Sequence, residues 1–326
     1  MTEALWLTED DVTASVALDD AVPVVRRALE HEHAGKARTL AKTAVGWGGG
    51  NTLHALGGVA EGLGLVGAKT WAHTSGGANP LVVLWNESNG ELVAVIEAFA
   101  LGQLRTASIS AVAIGELAAP DSSVLAVIGT GQQALAQVAA AFCQRPIATV
   151  RVFSPTREHR IAFATMLGGL VPGCAIEACD SVAAAVAGAG IVTTVTRSRE
   201  AFLDPAMLAS DVLVNAVGAI SPERAEVTDR FVAGASMVVS DSPAVARELS
   251  VELRHATAVV SLSAVVGGGV AIPASGHRMF KAMGLGLADV AVAAEVLRRC
   301  TADGRGRPLP GRARATPRLF PVKGMS

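Results

Sequence analysis

Three residues at a fixed spacing give this chain its first chemical signature: Gly129, Gly131 and Ala134, in the order G-x-G-x-x-A. They follow the apolar run Val124-Leu-Ala-Val-Ile128 and lead into an Ala-rich helical stretch that begins at Gln132. A short apolar run of this kind suits a strand buried on both faces. Strand, glycine turn and helix together make a dinucleotide-binding fingerprint. Gly129 permits the tight turn. Gly131 has no Cβ to keep a pyrophosphate from the backbone, and Ala134 lets helix and strand approach closely. Free N–H groups and the helix dipole then favour negative charge at the helix start. The cofactor contacts expected from this turn are Gly129, Thr130, Gly131, Gln132, Gln133 and Ala134.

The loop after the next strand bears on which dinucleotide is bound. In this arrangement an acidic residue about 20 residues past the turn usually binds the ribose 2′-OH of NAD. Here Phe153 is followed by Ser154, Pro155, Thr156 and Arg157, with no acidic side chain before Glu158. Ser154 and Thr156 can donate hydrogen bonds, and Arg157 can pair with a 2′-phosphate. The bland alternative makes Arg157 a solvated residue in a first helical turn, where a cation is mildly unfavourable. NADPH is therefore expected over NADH.

The turn must be held by a sheet. Apolar runs at Thr149–Phe153, Ile191–Val195, Val212–Asn215 and Met237–Ser240 alternate with helical stretches, which predicts an α/β, doubly wound parallel sheet. Such sheets bind ligands at the carboxyl ends of their strands. Thr194, Val217 and Gly218 are candidates on that ground, and Asp241 also follows a strand. Upstream, residues 37–116 alternate apolar runs with glycine turns and read as an α+β region. Strands are expected at Leu63–Lys69, Leu81–Trp85 and Leu92–Ala98, with Asn89-Gly90 as a hairpin signal. Lys69 closes one of these strands, and Arg105 enters an Ala-rich helix; taken singly, each reads as a surface ion pair. Thr8 before Glu9, Asp10 and Asp11 marks a helix start. Ser275–Arg299 reads as helical, and the Gly/Pro/Arg-rich stretch 303–326 is expected to gain order only by docking on a partner subunit.

Composition limits the function classes. The 326 residues, 51% of them hydrophobic, suffice for two domains. A net charge of −2 gives no general affinity for nucleic acid or an anionic membrane. No basic start with an apolar run suggests a signal peptide, and the long uncharged run 122–144 contains the glycine turn, so no membrane span is expected. Four cysteines without C-x-x-C spacing read as reduced thiols of a cytoplasmic protein. His31 and His33, two apart on a helix, face different ways, so no metal site is expected. His54, His73 and His277 read as hydrogen-bonded structural histidines.

The segments Gly67-Ala-Lys69, Leu104-Arg-Thr-Ala-Ser108, Val127-Ile-Gly-Thr-Gly-Gln-Gln-Ala134, Val214-Asn-Ala-Val-Gly218 and Phe280-Lys-Ala-Met-Gly-Leu-Gly-Leu-Ala-Asp289, in that order, resemble the ornithine cyclodeaminase / mu-crystallin family. The resemblance implies a Rossmann-type domain, residues 119–274. It also implies a second α+β domain for substrate binding and homodimerisation, residues 1–118 with 275–326. It further implies an NAD(P)-dependent enzyme acting on a small amino or imino acid. Carried over by position, the family's substrate lysine is Lys69, which is also the candidate catalytic residue, and its carboxylate-gripping arginine is Arg105. A second substrate arginine matches Arg38. The cyclodeaminases carry a catalytic aspartate two residues past the glycine of Asn-Ala-Val-Gly; this chain has Ile220 there, which cannot accept a proton.

The leading expectation is therefore an NAD(P)H-dependent imine (ketimine) reductase or amino acid dehydrogenase. A cyclodeaminase-type ammonia lyase using tightly bound NAD, with Asp241 as its base, is the first alternative. A non-enzymatic NADPH-dependent carrier of a small ligand is the second.

Overall fold

The computed structural model describes residues 3–311 and 315–319. β1 (Leu5–Leu7) and α1 (Glu9–Ser15) open the chain. The Thr8 side chain accepts from the Asp11 N–H while the Asp11 carboxylate accepts from the Thr8 N–H, a reciprocal cap at the predicted helix start. α2 (Leu18–His33) buries Ala21, Val25, Ala28 and Leu29, one stripe at helical spacing. Then come β2 (Ala37–Trp47), β3 (Asn51–Ala60), β4 (Leu65–Thr74), β5 (Gly77–Ala78), β6 (Leu81–Asn86) and β7 (Leu92–Glu97). They form a sheet in the order β1-β7-β6-β4-β3-β2, antiparallel except where β1 lies parallel to β7. β6 and β7 make the predicted hairpin, with Gly90 at φ +69°. β4 runs on to Thr74, so Lys69 sits mid-strand rather than at a strand end.

α3 (Phe99–Leu117) carries Arg105, and every residue from Ala107 to Ile114 is buried. A helix apolar all round belongs between layers. The second layer contains β8 (Val124–Ile128), α4 (Ala134–Phe142), β9 (Thr149–Phe153), α5 (Arg157–Leu170), β10 (Ala175–Ala178), α6 (Val182–Val186), β11 (Ile191–Thr194) and β12 (Val212–Ala216). It continues with α7 (Asp229–Gly234), β13 (Met237–Ser240), α8 (Pro243–Leu249), β14 (Val260–Ser261), α9 (Leu262–Val266) and β15 (His277–Lys281). The sheet is parallel throughout, in the order β10-β9-β8-β11-β12-β15-β13-β14. From β8 the chain runs outward to β9 and β10, then crosses to β11 on the other side. That reversal opens a crevice above the carboxyl end of β8. α3 packs against α2, α4, β12 and β15, and so joins the two sheets.

β15 departs from the helical reading of Ser275–Arg299. Met279 and Phe280 are fully buried between β12 and β13, where a gap in the parallel sheet is filled by an extended segment. Tertiary pairing overrides local preference here. β15 pairs within the parallel sheet. The chain returns to the first layer with α10 (Gly286–Ala302), which lies on β3 and β4. β16 (Arg307–Pro308) then pairs with β1. The beginning of the 303–326 stretch is thus ordered within the chain, and residues 312–314 and 320–326 lie outside the described ones.

α10 approaches β3 without side chains between them. A Cβ on Gly286 would stand 2.4 Å from both the Gly57 nitrogen and oxygen, and one on Gly58 would stand 2.9 Å from the Leu287 Cα. Only glycine fits such a backbone-to-backbone contact. The contact sets the depth at which the first turn of α10 enters the structure.

Candidate active site

Asp289 lies in that first turn and is fully buried. Its Oδ1 accepts from Lys69 Nζ at 2.6 Å and from Arg105 Nε at 3.1 Å. One carboxylate oxygen therefore joins β4, α3 and α10. Burial pulls the Lys69 ammonium down to about 8, against the opposing pull of Asp289. Lys69 Nζ also lies 5.2 Å from the Trp71 ring centroid, and Trp71 stacks on His54 with centroids 4.7 Å apart.

Arg105 is held through Nε alone. Its Nη1 and Nη2 have no carboxylate partner among the described residues. They face Gly284, where a Cβ would come within 3.5 Å of Nη1. The two-nitrogen edge that matches a carboxylate is thus left open, while Asp289 fixes the rest of the group. The Gly284 turn is itself anchored. Asp241 accepts from the Met283 N–H at 2.7 Å and the Gly284 N–H at 2.9 Å, one on each oxygen. Burial pushes the Asp241 carboxyl up, and these two N–H groups pull it back.

Arg38 is not brought to this cluster. It pairs in register with Val59, three residues from Leu56, the register partner of Lys69. Side chains alternate along a strand, so Arg38 points to the opposite face, where it pairs with Glu61 at 3.2 Å and its side chain is 68% exposed. The cation that does reach the cluster is Lys42. The β2–β3 register shifts between Leu40 and Thr43, and this bulge turns Lys42 to the Lys69 face. Burial, then repulsion from Arg105, lowers the Lys42 ammonium, while Asp241 and Asp289 oppose the shift.

A second feature opens above β8, a cavity of about 1110 Å³. Gly129, Thr130, Gly131, Gln132, Gln133, Ser154, Val217 and Gly218 line it. Four expected contacts lie off its wall. Ala134 is buried at the start of α4, and Thr194 is buried with its hydroxyl on Glu226. Thr156 and Arg157 are exposed at the start of α5. Arg160 from the same helix turns inward, donating to the Ser154 carbonyl at 3.1 Å and to Asp180 at 2.5 Å. His159, Arg197 and Arg224 reach the cavity wall, and no Asp or Glu does among the described residues.

The wall fits a dinucleotide. Gly129 adopts φ +110°, and a Cβ there would meet the Val195 oxygen at 2.7 Å. A Cβ on Gly131 would meet nothing within 4 Å, so space for a pyrophosphate lies over that residue. No side chain caps α4; the Ala134 N–H donates to the Gly131 oxygen at 2.9 Å, and the helix start still favours an anion. The cavity and the cation cluster are neighbours through the sheet. Val217 and Gly218 follow β12; Ala282, Met283 and Gly284 follow β15 beside it, and the Ala282 N–H donates to the Ala216 oxygen.

A parallel sheet with a glycine-turn cavity, joined to a mixed sheet whose Lys69 meets Arg105 and Asp289 from two helices, defines a two-layer dinucleotide-binding protein. The chain belongs to the ornithine cyclodeaminase/mu-crystallin family, whose pattern it matches over residues 2–304. Among characterised relatives it is 32% identical over 213 residues to ketimine reductase mu-crystallin of Mus musculus, a match covering 65% of this chain and 66% of that protein, just under two thirds. It is 30% identical over 274 residues to Delta(1)-pyrroline-2-carboxylate reductase of Bacillus cereus, covering 78% and 84%. In fold it is similar to the Thermococcus litoralis Delta(1)-pyrroline-2-carboxylate reductase solved with NADH and L-proline (TM-score 0.87, 20% identity, 94% of this chain and 100% of that one). It is also similar to an archaeal alanine dehydrogenase dimer with bound NAD (TM-score 0.87, 23% identity, 95% and 99%). No described helix is long and apolar enough to cross a membrane, and no described group of His, Cys, Asp and Glu is arranged to hold a metal ion.

Proposed function

We propose that this protein is an NAD(P)H-dependent enzyme that reduces the C=N bond of a small imino acid. The observation that carries this reading is the open Nη edge of Arg105 beside the Lys69 ammonium, next to the loops that line the dinucleotide cavity. A reduced nicotinamide, when bound, supplies the hydride. The chain supplies the rest. Arg105 grips the substrate carboxylate through its fork, with Lys69 and Lys42 adding positive field. Lys69, lowered to about 8, gives its proton to the imine nitrogen as the α-carbon receives the hydride. Asp289 holds both cations in place. Ile220 lines the cavity where the cyclodeaminases carry aspartate, which favours reduction over deamination.

The preferred cofactor is NADPH, supported by a cavity wall without Asp or Glu and by Ser154 at its edge. The assembly is a homodimer. Leu40, Val45, Trp47 and Leu53 are exposed, 45–61% of each, on the face of the mixed sheet opposite Lys69. Exposed apolar patches of this kind mark protein contacts.

The test is incubation with NADPH and a panel of cyclic and acyclic imino acids, Δ1-pyrroline-2-carboxylate among them. Loss of reduced cofactor with at least one member is expected. Cofactor unchanged across the panel would remove the reading.

A further inference from the structure

Glu226 is fully buried in the stretch before α7, and no cation pairs with it within salt-bridge distance among the described residues. It is held by five donors from two segments. Its Oε1 accepts from the Thr196 N–H at 2.6 Å and the Thr196 hydroxyl at 2.7 Å. Its Oε2 accepts from the Thr194 hydroxyl at 2.9 Å, the Gly218 N–H at 3.0 Å and the Ala219 N–H at 3.2 Å. The loop after β11 and the loop after β12 thus converge on one carboxylate. Gly218 is pressed against this junction: a Cβ there would stand 2.4 Å from Glu226 Oε1 and 2.3 Å from the Thr196 oxygen.

The carboxylate is fixed from behind. The Glu226 and Val227 N–H groups donate to Glu252 Oε1 at 2.7 and 2.9 Å. Glu252 in turn accepts from Lys281 of β15, and both side chains are fully buried. A buried ion pair therefore sets the backbone that aims Glu226. So elaborate a set of bonds around a buried carboxylate is costly to assemble, and both loops it ties line the dinucleotide cavity through Val195, Thr196, Val217 and Gly218.

Those loops form one half of the cavity only. Ser154 and Pro155 after β9 form the other. With a pyrophosphate over Gly131, the adenosine half points toward β9 and the nicotinamide half toward β11 and β12. We infer that Glu226 is a positioning residue for the nicotinamide half of the cofactor, acting through the two loops it clamps and touching no reacting atom. The inference rests on the dinucleotide reading of the cavity and is independent of which imino acid is reduced.

Glu226→Gln keeps the size of the side chain, but its NH2 group must face at least one backbone N–H, which then loses its acceptor. Calorimetry of the full-length protein compares NADPH with 2′-phospho-ADP-ribose, which lacks the nicotinamide, and NADH with ADP-ribose in parallel. In Glu226→Gln the intact dinucleotides are expected to bind about 10-fold more weakly or worse, while both fragments bind as to the wild type. Thr196→Val removes one hydroxyl donor and is the milder variant, carrying the same comparison if the first does not fold; a selective loss of about threefold is expected. Unchanged binding of all four ligands, or an equal loss for dinucleotides and fragments, would overturn the assignment. Failure of all four to bind the wild-type protein would instead remove the dinucleotide reading beneath it.

Discussion

Lys69 Nζ and Asp289 Oδ1 lie 2.6 Å apart although 220 positions separate them in the chain. The contact closes the first layer around its own C-terminal helix and sets the charge state of the proposed proton donor. Burial lowers Lys69 to about 8, and the Asp289 charge keeps it from falling further. Reduction is therefore expected to slow as pH rises through about 8, where Lys69 loses its proton. In Asp289→Asn that limb moves to lower pH, because the group that raised the lysine is gone. A pH–rate profile of both proteins checks this, and an identical limb in the two would separate Lys69 from the rate. Stability runs the other way. The folded-state value lies below the ordinary 10.5 of a lysine, so the cost of burying the ammonium is complete below pH 8 and fades between 8 and 10.5.

Arg105→Lys keeps the charge and loses the fork. A hydrogen bond to a charged partner contributes roughly 1.5–3 kcal/mol, so KM for the imino acid is expected to rise about 10–100-fold. Dinucleotide affinity is expected to stay, since Arg105 does not line the cavity. Steady-state kinetics with a parallel cofactor titration reads both; unchanged KM would make Arg105 a purely structural partner of Asp289.

Gly286→Ala sets two effects of different size against each other. Alanine favours a helix over glycine by about 1 kcal/mol. The new Cβ would stand 2.4 Å from the Gly57 backbone, and forcing such a contact costs about 1–3 kcal/mol. The clash wins. A lower melting temperature is expected, together with slower reduction, because the turn carrying Asp289 must move. A variant as stable and as active as the wild type would show that the depth of α10 is unimportant.

The loop after β9 predicts cofactor choice. NADPH is expected to bind more tightly than NADH, and Arg157→Ala to weaken NADPH about 10-fold while leaving NADH little changed. Arg157 is exposed at the start of α5, three residues past Ser154 on the cavity wall. Calorimetric titration decides it; tighter NADH binding, or equal loss for both, would contradict the preference.

The two halves of the site differ in how far the sequence reveals them. The glycine turn is legible because its chemistry depends on consecutive residues: a φ of +110° at Gly129 and open space over Gly131 follow from local types. The cation cluster is assembled from three distant segments. Asp289 sits in the motif Phe280–Asp289, yet nothing in its neighbours shows that it meets Lys69 and Arg105. Lys42 reaches the cluster through a bulge, and one extra residue in a strand leaves no sequence signal while reversing which side chain faces inward. The same parity sends Arg38 to the opposite face. Glu226 is legible least of all, since three of its five donors are backbone N–H groups.

The central claim is hydride transfer to the α-carbon of an imino acid. Its most direct test uses NADPH carrying deuterium at both C4 positions of the nicotinamide, with the imino acid that the panel shows to be turned over, and, in a parallel reaction, ornithine with catalytic NAD. One deuterium on the α-carbon of the product for each NADPH consumed, with no ammonia or proline from ornithine, is the expected result. Proline and ammonia from ornithine with the cofactor regenerated, or product without deuterium at the α-carbon, would contradict it.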